Sequence, residues 1–263
     1  MASAEKRLTW LTNNAGHPAL YREPAIANLQ PLKSACSGCS ICETRNPEGP
    51  NAVAPHRLGA YVEGRRHINR GHRLYAAGAP FENLYCVRAG SIKTSILLED
   101  GREQVTGFHM PGDLIGLDGI SANTHNCAAT ALEDSEVCLL PFAYLQHLSA
   151  TIAPLQHNLH RLLSSEVVCE QRKMLMLGTM RAEEKLAWFL LDLSSRYPMP
   201  GQSTFEFVLR MTREEIGSFL GLKLETVSRL LSRFQEARLV MVRQKHVKLL
   251  DPAGLRHLIG RPV

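Results

Sequence analysis

Cys36, Cys39 and Cys42 are each separated by two residues in "SACSGCSICE", residues 34–43. Thiols at that spacing bind a metal, close a disulfide or form a redox switch, and the run alone leaves all three uses open. The chain carries seven cysteines. An odd number in a chain without a recognisable secretory leader argues against a disulfide framework and towards metal or redox chemistry. Enzymatic fingerprints are missing. "GLDGI" is not G-x-G-x-x-G, no P-loop occurs, and the eleven histidines are scattered without an H-E-x-x-H pair.

A second stretch with readable chemistry is "MTREEIGSFLGLKLETVSRLLSRFQEARLV", 211–240. Thr212 and Glu215 have the spacing of a capping box, in which hydroxyl and carboxylate satisfy reciprocal backbone donors. Ile216, Phe219 and Leu220 give a first helix its apolar face, and Gly221 stands at the turn. A second helix starts near Leu224 and buries Val227, Leu230, Leu231 and Phe234. This is a helix-turn-helix, whose second helix enters the major groove. Glu225, Ser228 and Arg229 project on one side of that helix. Arg229 suits guanine O6 and N7, Glu225 suits cytosine N4, and Ser228 donates or accepts. Lys223, Arg213, Arg233 and Arg238 supply phosphate contacts, which set affinity and register. "VMVRQKHVKLL" follows as a β-wing.

Other elements must position these residues. At 263 residues the chain is long enough for two domains, and 44% apolar with 21% charged residues is a globular balance. The net charge of +5 permits a nucleic-acid partner without requiring one. No apolar run approaches the ~20 residues of a membrane span. The N-terminal segment has charges but no apolar core ahead of a cleavage site, so the expected compartment is the cytoplasm.

Residues 1–50 read as a flexible arm that carries the cysteine run. Residues 51–150 read as a β-roll, because short β-type runs alternate with glycines at the spacing of a sandwich or barrel. Glu99–Arg102 has the look of a hairpin tip. Residues 151–180 switch to a helical period. Leu159, Leu163, Val167, Glu170, Met174 and Leu177 form a narrow stripe, the width of a helix–helix seam in a homodimer. Paired Glu170 side chains near the axis would weaken that seam, unless Glu170 leans into solvent. Residues 181–263 hold the winged helix-turn-helix. The expected fold class is α+β: an N-terminal β-barrel or jelly roll, a long dimerisation helix and a C-terminal winged helix-turn-helix.

This order resembles the CRP/FNR superfamily of bacterial transcription regulators. "EQVTGFHMPGDLIGLDGI" and "LGLKLETVSRLLSRFQ" resemble its FNR branch. The resemblance implies a dimer that reads a TTGAT…ATCAA palindrome through Glu225, Ser228 and Arg229. It also implies a contact with RNA polymerase near Glu99–Glu103. In cyclic-nucleotide-binding members an Arg-Ser or Arg-Thr pair holds the phosphate. Here "THNCAATA" offers no basic residue at 126–131, so cAMP is not the expected effector.

The resemblance points instead to a [4Fe–4S] cluster, with oxygen or redox state as its signal. Cys36, Cys39 and Cys42 match the ferredoxin-type run, and Cys138 in "LEDSEVCLLPF" matches the distant ligand of FNR-like sensors. The family usually spaces its three N-terminal cysteines as Cys-x2-Cys-x5-Cys, whereas position 45 here is Arg45. Zinc on the same four thiols and a thiol–disulfide switch rank below the cluster. Cys86, Cys127 and Cys169 read as small buried hydrophobes. The remaining alternatives are a constitutive DNA binder and an iron–sulfur electron-transfer protein.

Overall fold

The computed structural model describes residues 64–151, 153–196 and 205–260. Eight strands build the N-terminal domain: β1 (Gly64–Ile68), β2 (Arg73–Tyr75), β3 (Asn83–Ala89), β4 (Ile92–Leu97), β5 (Glu103–His109), β6 (Leu114–Ile115), β7 (Ala128–Ala131) and β8 (Ser135–Pro141). They pair antiparallel in two four-stranded sheets, ordered β1-β8-β3-β6 and β2-β7-β4-β5. The jelly-roll expectation takes this form.

Strand alternation places the cores. On β3, Tyr85 and Val87, with Val137 of the neighbouring β8, face the other sheet, where they pack with Ile92 and Ala129. Leu84 and Cys86 face the opposite way, as do Cys138 and Leu140 of β8. Successive strand side chains point to opposite faces, so one sheet is apolar on both sides. Gly90, at φ 85, turns β3 into β4, and a Cβ there would lie 2.7 Å from Ser135 Cα. The expected hairpin tip is present between β4 and β5, closed by Leu98 N–H to Arg102 O at 2.8 Å.

The outer face of the β1-β8-β3-β6 sheet is covered by two helices, α1 (Phe142–Thr151) and the start of α2 (Ala153–Thr179). Leu145 of α1 and Leu155 and Leu159 of α2 join Cys86 and Cys138 in one cluster. The chain then continues through α3 (Ala182–Arg196), β9 (Glu206–Val208), α4 (Arg213–Leu220), α5 (Leu224–Glu236), β10 (Val240–Arg243), β11 (His246–Leu249) and α6 (Pro252–Ile259). The wing has three strands, ordered β10-β11-β9.

The largest core joins both halves of the chain. Val105, Phe108 and Met110 around β5 pack with Met176, with α3 and with the helix-turn-helix. The rings of Phe108, Phe189 and Phe219 lie 5.3–6.0 Å apart.

The seam stripe divides. Leu159 is buried and Leu163 half-buried against the chain's own β-domain. The first turns of α2 are needed to cover the sheet. Farther along, Val167 is 58% exposed, Met174 73% and Leu177 41%, with Val168 and Leu175 exposed beside them. Glu170 points into solvent and pairs with Lys173 at 2.6 Å. Cys169 is exposed on the same helix, contrary to the buried role expected for it.

Candidate nucleic-acid interface and sensor site

The helix-turn-helix is built as its sequence dictates. Thr212 Oγ1 accepts from the Glu215 N–H at 3.1 Å, and the Glu215 carboxylate accepts from the Thr212 N–H at 2.7 Å. Gly221, at φ 64, ends α4 in the left-handed region that glycine adopts without a Cβ penalty. The Leu222 N–H then returns to Gly217 O at 2.8 Å. In α5, Val227, Leu230, Leu231 and Phe234 are buried. Lys223, Glu225, Arg229 and Arg233 are exposed, and Ser228 is half-buried.

Two of the expected phosphate contacts are tied within the chain. Arg213 donates to Ser228 Oγ at 3.2 Å, and Arg233 pairs with Glu183. Arg229 lines a groove with Thr226, Arg181 and Glu184. Arg238 is exposed at φ 56, in the turn after α5. The wing turn adds Arg243 and Lys245, exposed on either side of Gln244 at φ 57. Their place between two short strand runs is the sequence signal that marks these two cations.

This unit is fastened to the β-domain. Ser218 Oγ accepts from the Val105 N–H and donates to Glu103 O, both at 2.9 Å. Lys93 pairs with Glu103 at 3.1 Å and with the capping residue Glu215 at 3.0 Å. Partial burial opposes the charge on Lys93, but hydrogen bonds to Glu215 and Glu103 outweigh it and raise its pKa. At the end of α3, Arg196 pairs with Asp113 and donates to Phe108 O at 2.9 Å. Beside this junction, burial pushes the His109 imidazole down to about 4. Asp113 opposes that shift, while Lys173 and Arg196 reinforce it.

The loop that lacks a basic residue is met by an acidic one from the turn before it. Asp118 Oδ2 accepts from the N–H groups of Asn126 at 2.7 Å and Cys127 at 3.1 Å, and from the Cys127 thiol at 3.3 Å. Its other oxygen lies 3.5 Å from His125 Nδ1. The His125 ring stacks on Tyr75 with centroids 3.6 Å apart. Burial, and then the Asp118 charge, push the Cys127 thiol up to about 12. Cys127 is buried as expected, but it is a donor to a carboxylate rather than a hydrophobe alone.

Of the four expected cluster ligands, Cys36, Cys39 and Cys42 lie outside the described residues. Cys138 is 2% exposed on β8, in the cluster beneath α1 and α2. Among the described residues no group of three or more His, Cys, Asp or Glu side chains is placed to hold a metal ion. Cys138 therefore offers one thiol donor, and a four-thiolate cluster requires the other three from elsewhere. No helix among the described residues is long and apolar enough to cross a membrane.

Comparisons with known proteins agree with this architecture. A Crp-like helix-turn-helix domain model matches residues 184–258, and a cyclic nucleotide-binding domain model matches residues 65–151. The chain is 43% identical over 233 residues to the transcriptional regulatory protein btr of Bordetella pertussis, covering 89% of this chain and 96% of that protein. It is 40% identical over 225 residues to the fumarate and nitrate reduction regulatory protein of Escherichia coli, covering 86% and 90%. Among solved structures, FixK2 from Bradyrhizobium japonicum superposes with a TM-score of 0.71 at 30% identity, covering 76% of this chain and 98% of that one. A winged helix-turn-helix carried behind such a β-domain, in a chain this similar to established regulators, has one reading: the chain belongs to the CRP/FNR family and is a DNA-binding transcription regulator of the FNR type, not an enzyme.

Proposed function

We propose that this regulator is a cytoplasmic homodimer that senses oxygen or redox state through a [4Fe–4S] cluster held by Cys36, Cys39, Cys42 and Cys138. The observation that carries the reading is the position of Cys138. Its side chain shares one buried cluster with Leu155 and Leu159 of α2, and α2 goes on to expose Val167, Met174 and Leu177. A pull on Cys138 is therefore felt at the base of the helix that offers an apolar face to a second copy. When bound, the cluster supplies an oxidisable centre. The thiols of Cys36, Cys39, Cys42 and Cys138 would hold it, and would thereby tie the arm to β8 and set the packing under α2. A bias of a few kcal/mol on that packing is enough to switch the population that pairs. Exposed Glu170, which pairs with Lys173 in its own helix turn, would keep the unliganded seam close to dissociation.

The paired copies would present two α5 helices to successive major grooves of a TTGAT…ATCAA palindrome. Arg229, Glu225 and Ser228 would read bases and Lys223 would meet a phosphate, while Arg213 and Arg233 would do so on exchanging Ser228 and Glu183 for phosphate. The exposed β4–β5 hairpin, Glu99–Glu103, is the face offered to RNA polymerase. The Asp118 carboxylate argues against cAMP as effector, because it takes the loop's backbone donors and would repel a phosphate.

The test is iron and acid-labile sulfide per chain in anaerobically purified protein. Four of each are expected per chain, with a marked loss in Cys138→Ala. A Cys138→Ala chain that keeps its full complement removes that residue from the ligand set. Equimolar zinc without sulfide overturns the cluster.

A further inference from the structure

Cys138 has a neighbour that the proposed ligand set does not use. In the β3–β8 ladder Cys86 is the direct antiparallel partner of Cys138. The two side chains lie on one face of the sheet, since both pack with Leu84 and Leu140, while Tyr85, Val87 and Val137 fill the opposite face. Each is only 2% exposed. Directly opposed antiparallel residues have Cα atoms about 4.5–5.5 Å apart. That lies within the ~4.4–6.8 Å window in which a disulfide closes. Periodicity could not have revealed this pair, because the two cysteines lie far apart in the sequence and only the strand register brings them together.

We infer that Cys86 is the resolving thiol of Cys138: in the cluster-free chain the two close a cross-strand disulfide that withdraws Cys138 from metal ligation. The inference rests on the cluster reading only for that consequence. The step needs a two-electron oxidant, of which hydrogen peroxide is the simplest. Both S–H bonds break and one S–S bond forms, and the peroxide takes up two electrons and two protons to leave as two waters. Peroxide is nearly as small as water and reaches the pair through local opening of the sheet and its covering helices. Because the strands already hold the two residues in register, closure adds a link without a new chain path. Reduction by a dithiol restores the ligand.

The experiment uses the full chain, stripped of metal by a chelator and treated with hydrogen peroxide. Free thiols are then alkylated under denaturing conditions and the digest is mapped by mass spectrometry. The expected result is a peptide linking Cys86 to Cys138, lighter by two hydrogens than its separate halves and lost after dithiothreitol. Iron and sulfide uptake should fall after peroxide and return with dithiothreitol. Cys86→Ala should keep its uptake through the same treatment, and Cys86→Ser repeats the comparison if the alanine chain does not fold. Two alkylated thiols at Cys86 and Cys138 after peroxide would overturn the inference, as would Cys138 linked to Cys36, Cys39 or Cys42. The mapping is done without metal, so a chain that never takes up iron refutes the cluster while leaving the linkage result readable.

Discussion

Two turns of this chain offer backbone donors to an anion, and the chain treats them in opposite ways. At the start of α5 the N-cap is Lys223, whose side chain makes no cap bond, and Arg213 and Arg229 stand exposed nearby. The first turn of a helix carries unsatisfied N–H groups and partial positive charge, so this end is open to phosphate. In the loop before β7 the N–H groups of Asn126 and Cys127 are already taken by Asp118. One turn is left for a nucleic acid, and the other is closed by the chain's own carboxylate. The contrast is between a helix end whose N–H groups stay open and a loop whose N–H groups are filled by the chain itself.

The contrast is broken most forcefully at Asp118. Asp118→Ala leaves the partly buried N–H of Cys127 without an acceptor, at a cost of about 1–3 kcal/mol. The urea midpoint of the β-domain should drop at unchanged slope, and inorganic phosphate should restore part of it in the variant but not in the parent chain. At the open end, Arg229→Ala should weaken binding to the TTGAT palindrome by about 1–3 kcal/mol and relax the preference at the contacted base pair, measured by anisotropy with point-changed operators.

His109 sharpens the buried side of the comparison. Its folded pKa of about 4 lies below the ordinary 6.5, so the folded state prefers the neutral imidazole. Its contribution is full above the unfolded value and is lost as pH falls from 6.5 towards 4. Urea midpoints in the parent chain should fall across that window by more than in His109→Gln. The smallest effect is expected at Lys223. Lys223→Ala should lower affinity equally for all sequences and reduce the slope of log affinity against log salt by about 0.9.

Much of the DNA-reading end was legible because its determinants are local. Thr212 and Glu215 are three residues apart, Gly221 is the turn, and the buried face of α5 repeats at helical spacing. The β-domain was legible as a class, from its short runs and glycines. Its site was not. Asp118 acts on N–H groups eight and nine residues away that belong to no side chain, and only the loop's path brings them together. The pairing of Cys86 with Cys138 depends on strand register, which sequence spacing does not encode. Helical periodicity marked the stripe on α2, but it reports an apolar face without saying what covers it. Leu159 and Leu163 meet the chain's own sheet, whereas Val167 and Met174 meet solvent. Helix α1 and strand β9 leave little signal in the sequence, because one directly continues β8 and the other has only three residues.

The central claim is that the state of Cys138 governs what α5 does some distance away through the packing under α2. The most direct measurement is the affinity of the full chain for a fluorescent TTGAT…ATCAA duplex, titrated anaerobically with and without reconstitution by iron and sulfide, at one fixed salt concentration. Tighter binding by the reconstituted chain, with dimer mass by sedimentation, and no such gain in Cys138→Ala, is the predicted result. Equal affinity in the two states of the parent chain would contradict the account.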